Sequence, residues 1–141
     1  MRVFVSARVR LAVAAAALTV FGCGASAGGS TAPRAGVSVT DADNGGTVTV
    51  APGERLTVTL GSTYWTFAGS SNTAVLQQVG QPVASPGSCP PGVGCGQVSA
   101  TFVAVGRGRA DVTASRSSCG EALSCTGGSG SYRVSVVVGG P

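Results

Sequence analysis

Short runs in which apolar and polar residues alternate fill this chain after residue 35, and they constrain its fold more than any other feature. Residues 56–60 place Leu, Val and Leu at every second position, with threonines between them. Successive side chains of a strand point to opposite faces, so this period of two is typical of a half-buried β-strand. Further alternating runs lie at residues 64–67, 98–105, 110–115 and 132–138. No segment after residue 35 carries the apolar stripe of a helix.

Turn signals separate these runs. Residues 41–46, Asp-Ala-Asp-Asn-Gly-Gly, are rich in residues that accept positive φ, and Gly-Arg-Gly precedes the run at 110–115. Seven to eight short candidate strands follow one another without an internal repeat. The sequence therefore predicts an all-β fold, an Ig-like antiparallel β-sandwich. Trp65, the single tryptophan, lies in an alternating run and is expected to fill the core.

The first 22 residues have the layout of an export signal. Three arginines precede an apolar run at 11–22, which is too short to span a hydrocarbon layer of ~30 Å comfortably. Residues 20–23, Val-Phe-Gly-Cys, resemble the lipobox of bacterial lipoproteins, whose cysteine is lipidated and becomes the first residue. The resemblance implies lipidation at Cys23. The alternative is a cut after Ala27, which would discard Cys23.

Three parts follow from this division of the chain. Residues 1–22 are the predicted signal peptide, and residues 23–35 hold the anchor cysteine and a flexible tether rich in Gly, Ala and Ser. Residues 36–141 form the predicted sandwich domain. We expect the mature protein to be extracytoplasmic and lipid-anchored to the cell membrane, or secreted if Cys23 is removed.

The basic charge of the chain belongs largely to the signal. The full sequence has nine basic and five acidic residues, a net charge of +4. Three arginines leave with the signal, so six remain against five acids, and the mature net charge is +1. A nucleic-acid partner requires a clustered basic face. We therefore expect none.

The residue types present exclude several kinds of chemistry. The sequence contains neither His nor Lys, so Ser-His-Asp and Cys-His nucleophiles, Schiff bases and His-ligated metals cannot be built from it. The run 41–45 begins like a calcium loop, but Gly45 stands at a ligand position and Pro52 replaces the bidentate Glu. We expect a non-enzyme without a catalytic residue, metal or cofactor.

Once Cys23 is set aside, four cysteines remain in two pairs of equal spacing. Cys89 and Cys95 enclose five residues, as do Cys119 and Cys125. Zinc knuckles typically enclose two to four residues, and exported proteins usually pair their thiols, so disulfides explain the pattern better than zinc. Two local bridges are the simplest pairing. Crossed pairings, which would join the two loops, stay open.

Three stretches carry a resemblance to a known family. Residues 43–60 contain a "V..G..L.V.L" strand pair, residues 63–65 are Thr-Tyr-Trp, and residues 104–116 with 131–138 form a candidate closing hairpin. Together they resemble the chagasin-type inhibitors of papain-like cysteine peptidases, with residues 43–60 corresponding to that family's opening hairpin. The resemblance implies an Ig-like sandwich that contacts a cysteine peptidase through three loops at one end.

The resemblance also assigns candidate contacts. The family's first loop, an Asn-Pro-Thr-Thr-Gly run, is shortened here to Gly-Ser-Thr; its Gly-rich second loop corresponds to residues 92–96, and Arg116 takes the arginine place of an Arg-Pro-Trp third loop. The implied binding residues are Thr63, Tyr64, Gly92, Gly94, Gly96 and Arg116. Because Ser117 and Ser118 replace Pro-Trp, a large aromatic anchor is missing.

The functional hypothesis is therefore a lipid-anchored, extracytoplasmic Ig-like module that binds a protein or cell-surface partner through loops at one end. The alternative is a chagasin-like inhibitor of papain-type cysteine peptidases. Both hypotheses place the contact surface at the same loops, and both make Arg116 the best single contact.

Overall fold

The alternating runs form two β-sheets that face each other across the apolar side chains. The computed structural model describes residues 35–90, 93–120 and 122–139. The strands of these residues are β1 (Val37–Thr40), β2 (Thr47–Val50), β3 (Arg55–Gly61), β4 (Thr66–Ser70), β5 (Leu76–Pro86), β6 (Gly96–Ala104), β7 (Gly108–Ser115), β8 (Ser118–Gly120), β9 (Leu123–Ser124) and β10 (Ser131–Val138). Two short 3-10 helices lie at Asp41–Asp43 and Gly127–Gly130.

Eight of these strands build the sandwich. The first sheet has the order β1-β3-β6-β5, the second has the order β2-β10-β7-β4, and β8 pairs with β9 in a separate small hairpin. The central pairs β3–β6 and β7–β10 are antiparallel and in continuous register. The predicted all-β sandwich and the predicted closing hairpin, β7 with β10, are therefore confirmed.

The core lies between the sheets, where the period of two predicts it. Inward positions of β3, β6, β7 and β10 are buried, while their neighbours along each strand face outward. The largest side chains that are fully buried include Phe102, Leu56, Leu60 and Leu76. Trp65 is also buried, at 6% exposure, as expected. It precedes β4 instead of lying within a strand.

The chain changes sheets between β1 and β2. β1 runs parallel to β3 in the first sheet, and β2 runs parallel to β10 in the second. Parallel strands cannot be joined by a tight turn. The connection from β1 to β3 accordingly includes β2, which lies in the second sheet. The expected opening hairpin of β2 with β3 is therefore wrong. Both strands carry good strand signals, but they belong to different sheets.

Residues 41–46, which we call the crossover, are tied to both sheets by side chains. The Asp41 carboxylate accepts from the Gly61 amide at 2.7 Å, at the end of β3. The Asn44 side chain donates to the Ser131 carbonyl at 3.1 Å and accepts from the Arg133 amide at 2.9 Å. Asp and Asn side chains commonly satisfy backbone groups near turns, and here they join the ends of both sheets.

β5 extends further than the sequence predicts. Residues 74–79 are a weaker candidate strand in the sequence, whereas the strand covers Leu76–Pro86, with a register shift between Val79 and Val83. Val79 and Val83 are exposed, at 40% and 64%. Residues 80–82, Gly-Gln-Pro, interrupt the alternation in the sequence, and a bulge accommodates this interruption at an edge strand.

The signal, Cys23 and most of the tether lie outside the described residues. None of the helices within residues 35–90, 93–120 and 122–139 has the length and apolarity that a membrane crossing requires.

Tyr132 lies in the core at 2% exposure. Within the described ranges its hydroxyl has no hydrogen-bond partner. Burial, with the negative charges of Asp43 and Asp41, raises the pKa of Tyr132 from 10.0 to about 12. A raised pKa favours the neutral form in the folded state. The neutral hydroxyl therefore stabilises the folded state below pH 10, and this stabilisation is lost as the pH rises through about 12.

This shift can be measured in a Tyr64→Phe variant, which leaves Tyr132 as the only tyrosine. We expect tyrosinate absorbance to appear near pH 12, together with unfolding. Asp43→Asn should lower that midpoint by removing a repelling charge. Reversible ionisation near pH 10 in the folded protein would contradict the burial of the hydroxyl.

Candidate binding surface at the loop end

Three loops meet at one end of the sandwich, which we call the loop end. Loop 1 (residues 62–65) joins β3 to β4, loop 2 (87–95) joins β5 to β6, and loop 3 (116–130) joins β7 to β10. The adjoining strand ends pair directly, Gly61 with Gln97 in the first sheet and Thr66 with Ser115 in the second. The candidate contact residues that the structure describes all lie in these loops or at their margins.

Loop 2 holds loop 1 through the backbone. The Ser62 amide donates to the Gly96 carbonyl at 2.9 Å, and the Thr63 amide donates to the Gly94 carbonyl at 3.0 Å. Gly94 has a φ of 63°, and a Cβ at this position would overlap the ring of Tyr64. Glycine is therefore required twice at position 94, for its φ and for the close approach of Tyr64.

Ser62 is strained at the tip of loop 1. Its φ is 131°, a region that residues with a side chain rarely adopt. Its hydroxyl accepts from the Tyr64 amide at 3.1 Å, and its own amide is bonded to Gly96. Such strain persists only where surrounding contacts impose it, so loop 1 has a conformation set by its neighbours.

Both disulfides form locally, which confirms the simplest pairing. Cys89–Cys95 closes loop 2 with a Cα–Cα distance of 6.2 Å. Cys119–Cys125 closes part of loop 3 with a distance of 5.0 Å, around the small β8–β9 hairpin. Each loop is long and rich in small residues, so a covalent closure limits the conformations available to it.

Loop 3 positions Arg116 over Trp65. The Arg116 guanidinium lies 4.4 Å from the centre of the Trp65 ring. Its Nε donates to the Ser129 carbonyl at 3.2 Å, and its amide donates to the Gly130 carbonyl at 2.9 Å. A cation over an indole contributes about 0.5–2 kcal/mol. Arg116 is thus held by both its backbone and its side chain.

The Trp65 ring packs against a second aromatic residue as well as against Arg116. It lies edge-on to Tyr132, with ring centres 6.4 Å apart at 73°. Within the described part of the chain the Trp65 indole nitrogen has no hydrogen-bond partner. The indole is therefore held by packing between Arg116 and Tyr132.

The charge of the loop end is sparse. Among the described residues of loops 1, 2 and 3, Arg116 is the charged one; the remainder are small, polar or apolar. Over the same described ranges, no group of His, Cys, Asp and Glu is arranged to hold a metal ion. The chemistry available here is recognition through shape, backbone groups, an aromatic ring and one guanidinium.

The structure brings most of the sequence-predicted contacts together. Thr63, Tyr64, Gly94 and Gly96 form one contiguous group, and Arg116 lies on the other side of loop 1, above Trp65. Gly92, like Cys23, lies outside the described residues. Sequence reasoning identified these positions but not how they are held.

Three supporting residues were missed. Asp41 and Asn44 tie the crossover to the start of loop 1 and the end of loop 3. Gly130 lets the Arg116 carbonyl and Cys125 approach closely, since a Cβ there would overlap the first and lie 3.0 Å from the Cβ of the second. A signal existed for Asp41 and Asn44, because Asx residues beside Gly commonly bond to backbone, but their distant partners are not apparent from the sequence.

The stack of Arg116 on Trp65 gives a spectroscopic prediction. Arg116→Gln should remove the cation from the ring, exposing the single tryptophan to water. We expect red-shifted Trp65 emission and stronger quenching by acrylamide. Arg107→Gln, at an exposed position in the β6–β7 turn, is the matched control and should leave the emission unchanged. Identical spectra for both variants would contradict the stacking.

Comparisons with known proteins identify the fold. No protein-family model matches the sequence, and no curated protein matches it either. Seven solved chains are similar to this chain, among them the following two. The solution structure of amebosin superposes with a TM-score of 0.53 at 16% identity, covering 74% of this chain and 99% of amebosin. The cysteine protease inhibitor EhICP2 from Entamoeba histolytica superposes with a TM-score of 0.50 at 11% identity, covering 73% of this chain and 94% of the inhibitor.

At these identities the likeness concerns the fold. It spans nearly the whole of both solved structures, and it agrees with the resemblance seen in the sequence at residues 43–60, 63–65 and the closing hairpin. The chain therefore has the chagasin-type fold, an Ig-like β-sandwich with three loops gathered at one end.

Proposed function

We propose that the loop end binds a protein partner, and that the partner is a papain-like cysteine peptidase that the chain inhibits. One similar structure is that of a cysteine protease inhibitor. The observation that carries the proposal is the arrangement of loops 1, 2 and 3 at one end, each held in place by hydrogen bonds, stacking or a disulfide. Preorganised loops lose less conformational freedom on binding.

Within this surface, Arg116 is the proposed anchor. Arginine and large aromatics commonly dominate the binding energy of protein interfaces. Arg116 is already stacked on Trp65 and bonded to Ser129, so a partner meets a guanidinium of defined orientation. Tyr64, half-buried against Gly94, supplies an aromatic face on the other side of loop 1.

A second candidate partner is a cell-surface protein other than a peptidase. The observation that favours it is the sequence after Arg116, where two serines stand in place of the Pro-Trp pair of the inhibitor family. Without that aromatic anchor, affinity for a papain-like peptidase should be modest. A changed target at the same loops would account for the difference.

The proposed location is extracytoplasmic, with a lipid on Cys23 that holds the domain at the cell membrane. The two disulfides support an oxidising compartment. Residues 24–35 would serve as the spacer between lipid and domain. If the signal is instead cut after Ala27, the same domain is secreted.

Titration of papain with the oxidised domain, residues 28–141, tests the peptidase proposal. We expect inhibition of small-substrate hydrolysis that competes with substrate. Arg116→Ala should weaken it by about tenfold, the loss of one interface anchor, whereas Arg107→Ala at the opposite end should not change it. Absence of inhibition at high domain concentration would exclude papain-like peptidases and leave the second candidate.

Mass spectrometry of the full precursor expressed in a bacterial host tests the anchor. We expect a membrane-bound chain that begins at Cys23 and carries acyl mass. Cys23→Ala should abolish that mass and the membrane association. A soluble, unmodified wild-type chain beginning at Gly28 would contradict lipidation.

A further inference from the structure

Loop 1 is held from two sides by two different loops. Thr63 and Tyr64 contact loop 2 and Ser62 contacts Gly96 at the start of β6, whereas the next residue, Trp65, lies beneath Arg116 of loop 3. Loops 2 and 3 each contain one disulfide with the same sequence separation of 6. Two loops, each closed by a disulfide, therefore contact neighbouring residues of one short loop.

We propose that the disulfides are separate positioning elements: Cys89–Cys95 positions Tyr64, and Cys119–Cys125 positions Arg116. Each disulfide thereby controls one half of the loop end. The first half consists of the described residues of loop 2 with residues 62–64, and the second half consists of the described residues of loop 3 with Trp65. The inference rests on the proposed function only in treating this end as the binding surface.

In the first half, the disulfide acts through Gly94. Gly94 is the neighbour of Cys95, and the Cys95 carbonyl accepts from the Gly87 amide at 3.3 Å, across the neck of loop 2. Gly94 in turn accepts from the Thr63 amide and lies against the Tyr64 ring. Closure of loop 2 by the disulfide thus fixes the surface on which Tyr64 rests.

In the second half, the disulfide acts through Gly130 and Ser117. The Cys125 amide donates to the Ser117 carbonyl at 2.9 Å, next to Arg116. Gly130 packs against Cys125 and accepts from the Arg116 amide. Closure of the loop by the disulfide therefore holds Ser117, the next residue along the chain, and Gly130, the backbone hydrogen-bond partner of Arg116. The guanidinium is thereby directed onto Trp65.

The described contacts of each half run to loop 1, and we expect the halves to be separable for that reason. Among the described residues, no hydrogen bond, ion pair or ring contact links loop 2 with loop 3. Local opening of one half need not open the other, since proteins open in cooperative units defined by their contacts. A general loss of stability, in contrast, would affect both halves together.

Amide hydrogen exchange in the free domain separates these cases. In Cys89→Ser/Cys95→Ser, we expect the Ser62 and Thr63 amides to exchange about fivefold to tenfold faster, as one weakened hydrogen bond predicts. The Arg116 amide and Trp65 emission should not change. In Cys119→Ser/Cys125→Ser the pattern should reverse, with a faster Arg116 amide and red-shifted Trp65 emission.

Glycine variants with intact disulfides provide matched controls, and they keep the test decisive if a cysteine variant fails to fold. Gly94 and Gly127 have similar φ values of 63° and 58°, but only a Cβ at 94 meets Tyr64, and nothing lies within 4 Å at 127. Gly94→Ala should therefore open the first half alone, whereas Gly127→Ala should open neither half.

A second glycine pair tests the other half. A Cβ at Gly130 would overlap the Arg116 carbonyl, whereas nothing lies within 4 Å of a Cβ at Gly128. Gly130→Ala should speed exchange at Arg116 and shift Trp65 emission, and Gly128→Ala should do neither. The proposal is overturned if each disulfide variant accelerates both halves equally, or if neither variant accelerates its own half. These measurements require no partner. A failure to inhibit papain would therefore contradict the proposed function without affecting this test.

Discussion

The hydrogen bonds of the crossover are the constraint on which both the sandwich and its loop end depend. The chain leaves the first sheet after β1 and enters the second at β2, which makes both edge pairs parallel. At that point Asp41 binds the Gly61 amide, and Asn44 binds backbone groups at the start of β10. Gly61 leads into loop 1, and β10 follows loop 3. Two side chains thus tie together the strands that carry the loops. The carboxylates of the crossover also add to the effect of burial in raising the pKa of Tyr132.

Much of the fold was predictable from the period of two. It identified β3, β6, β7 and β10, and it placed Trp65 in the core. It could not identify strand partners, because β2 and β3 have equally good alternation and their separation into two sheets depends on distant contacts. β8 and β9 were missed because two or three residues are too few to establish a period.

The loop end was predictable in its composition and less so in its geometry. Equal spacing of the cysteines favoured local bridges, and these form. Arg116 was assigned as a contact from a family pattern, but its stacking on Trp65 was not predicted. The two residues lie far apart in the sequence and meet because β4 pairs with β7. The strain at Ser62 likewise has no sequence signal, because the amide of Ser62 is bonded to the carbonyl of Gly96, a residue distant in the sequence.

The stacking of Arg116 on Trp65 bears on the aromatic anchor that loop 3 lacks. In the inhibitor family the third loop carries a tryptophan after its arginine, and here serines follow Arg116. The ring associated with this arginine is instead Trp65 of loop 1, which lies beneath the guanidinium and is 6% exposed. A buried ring offers a partner little contact area of its own. It reduces the cost of immobilising Arg116, which for a long side chain is about 0.5–1.5 kcal/mol. Any affinity at this half of the loop end must therefore depend on orientation of the guanidinium more than on apolar area.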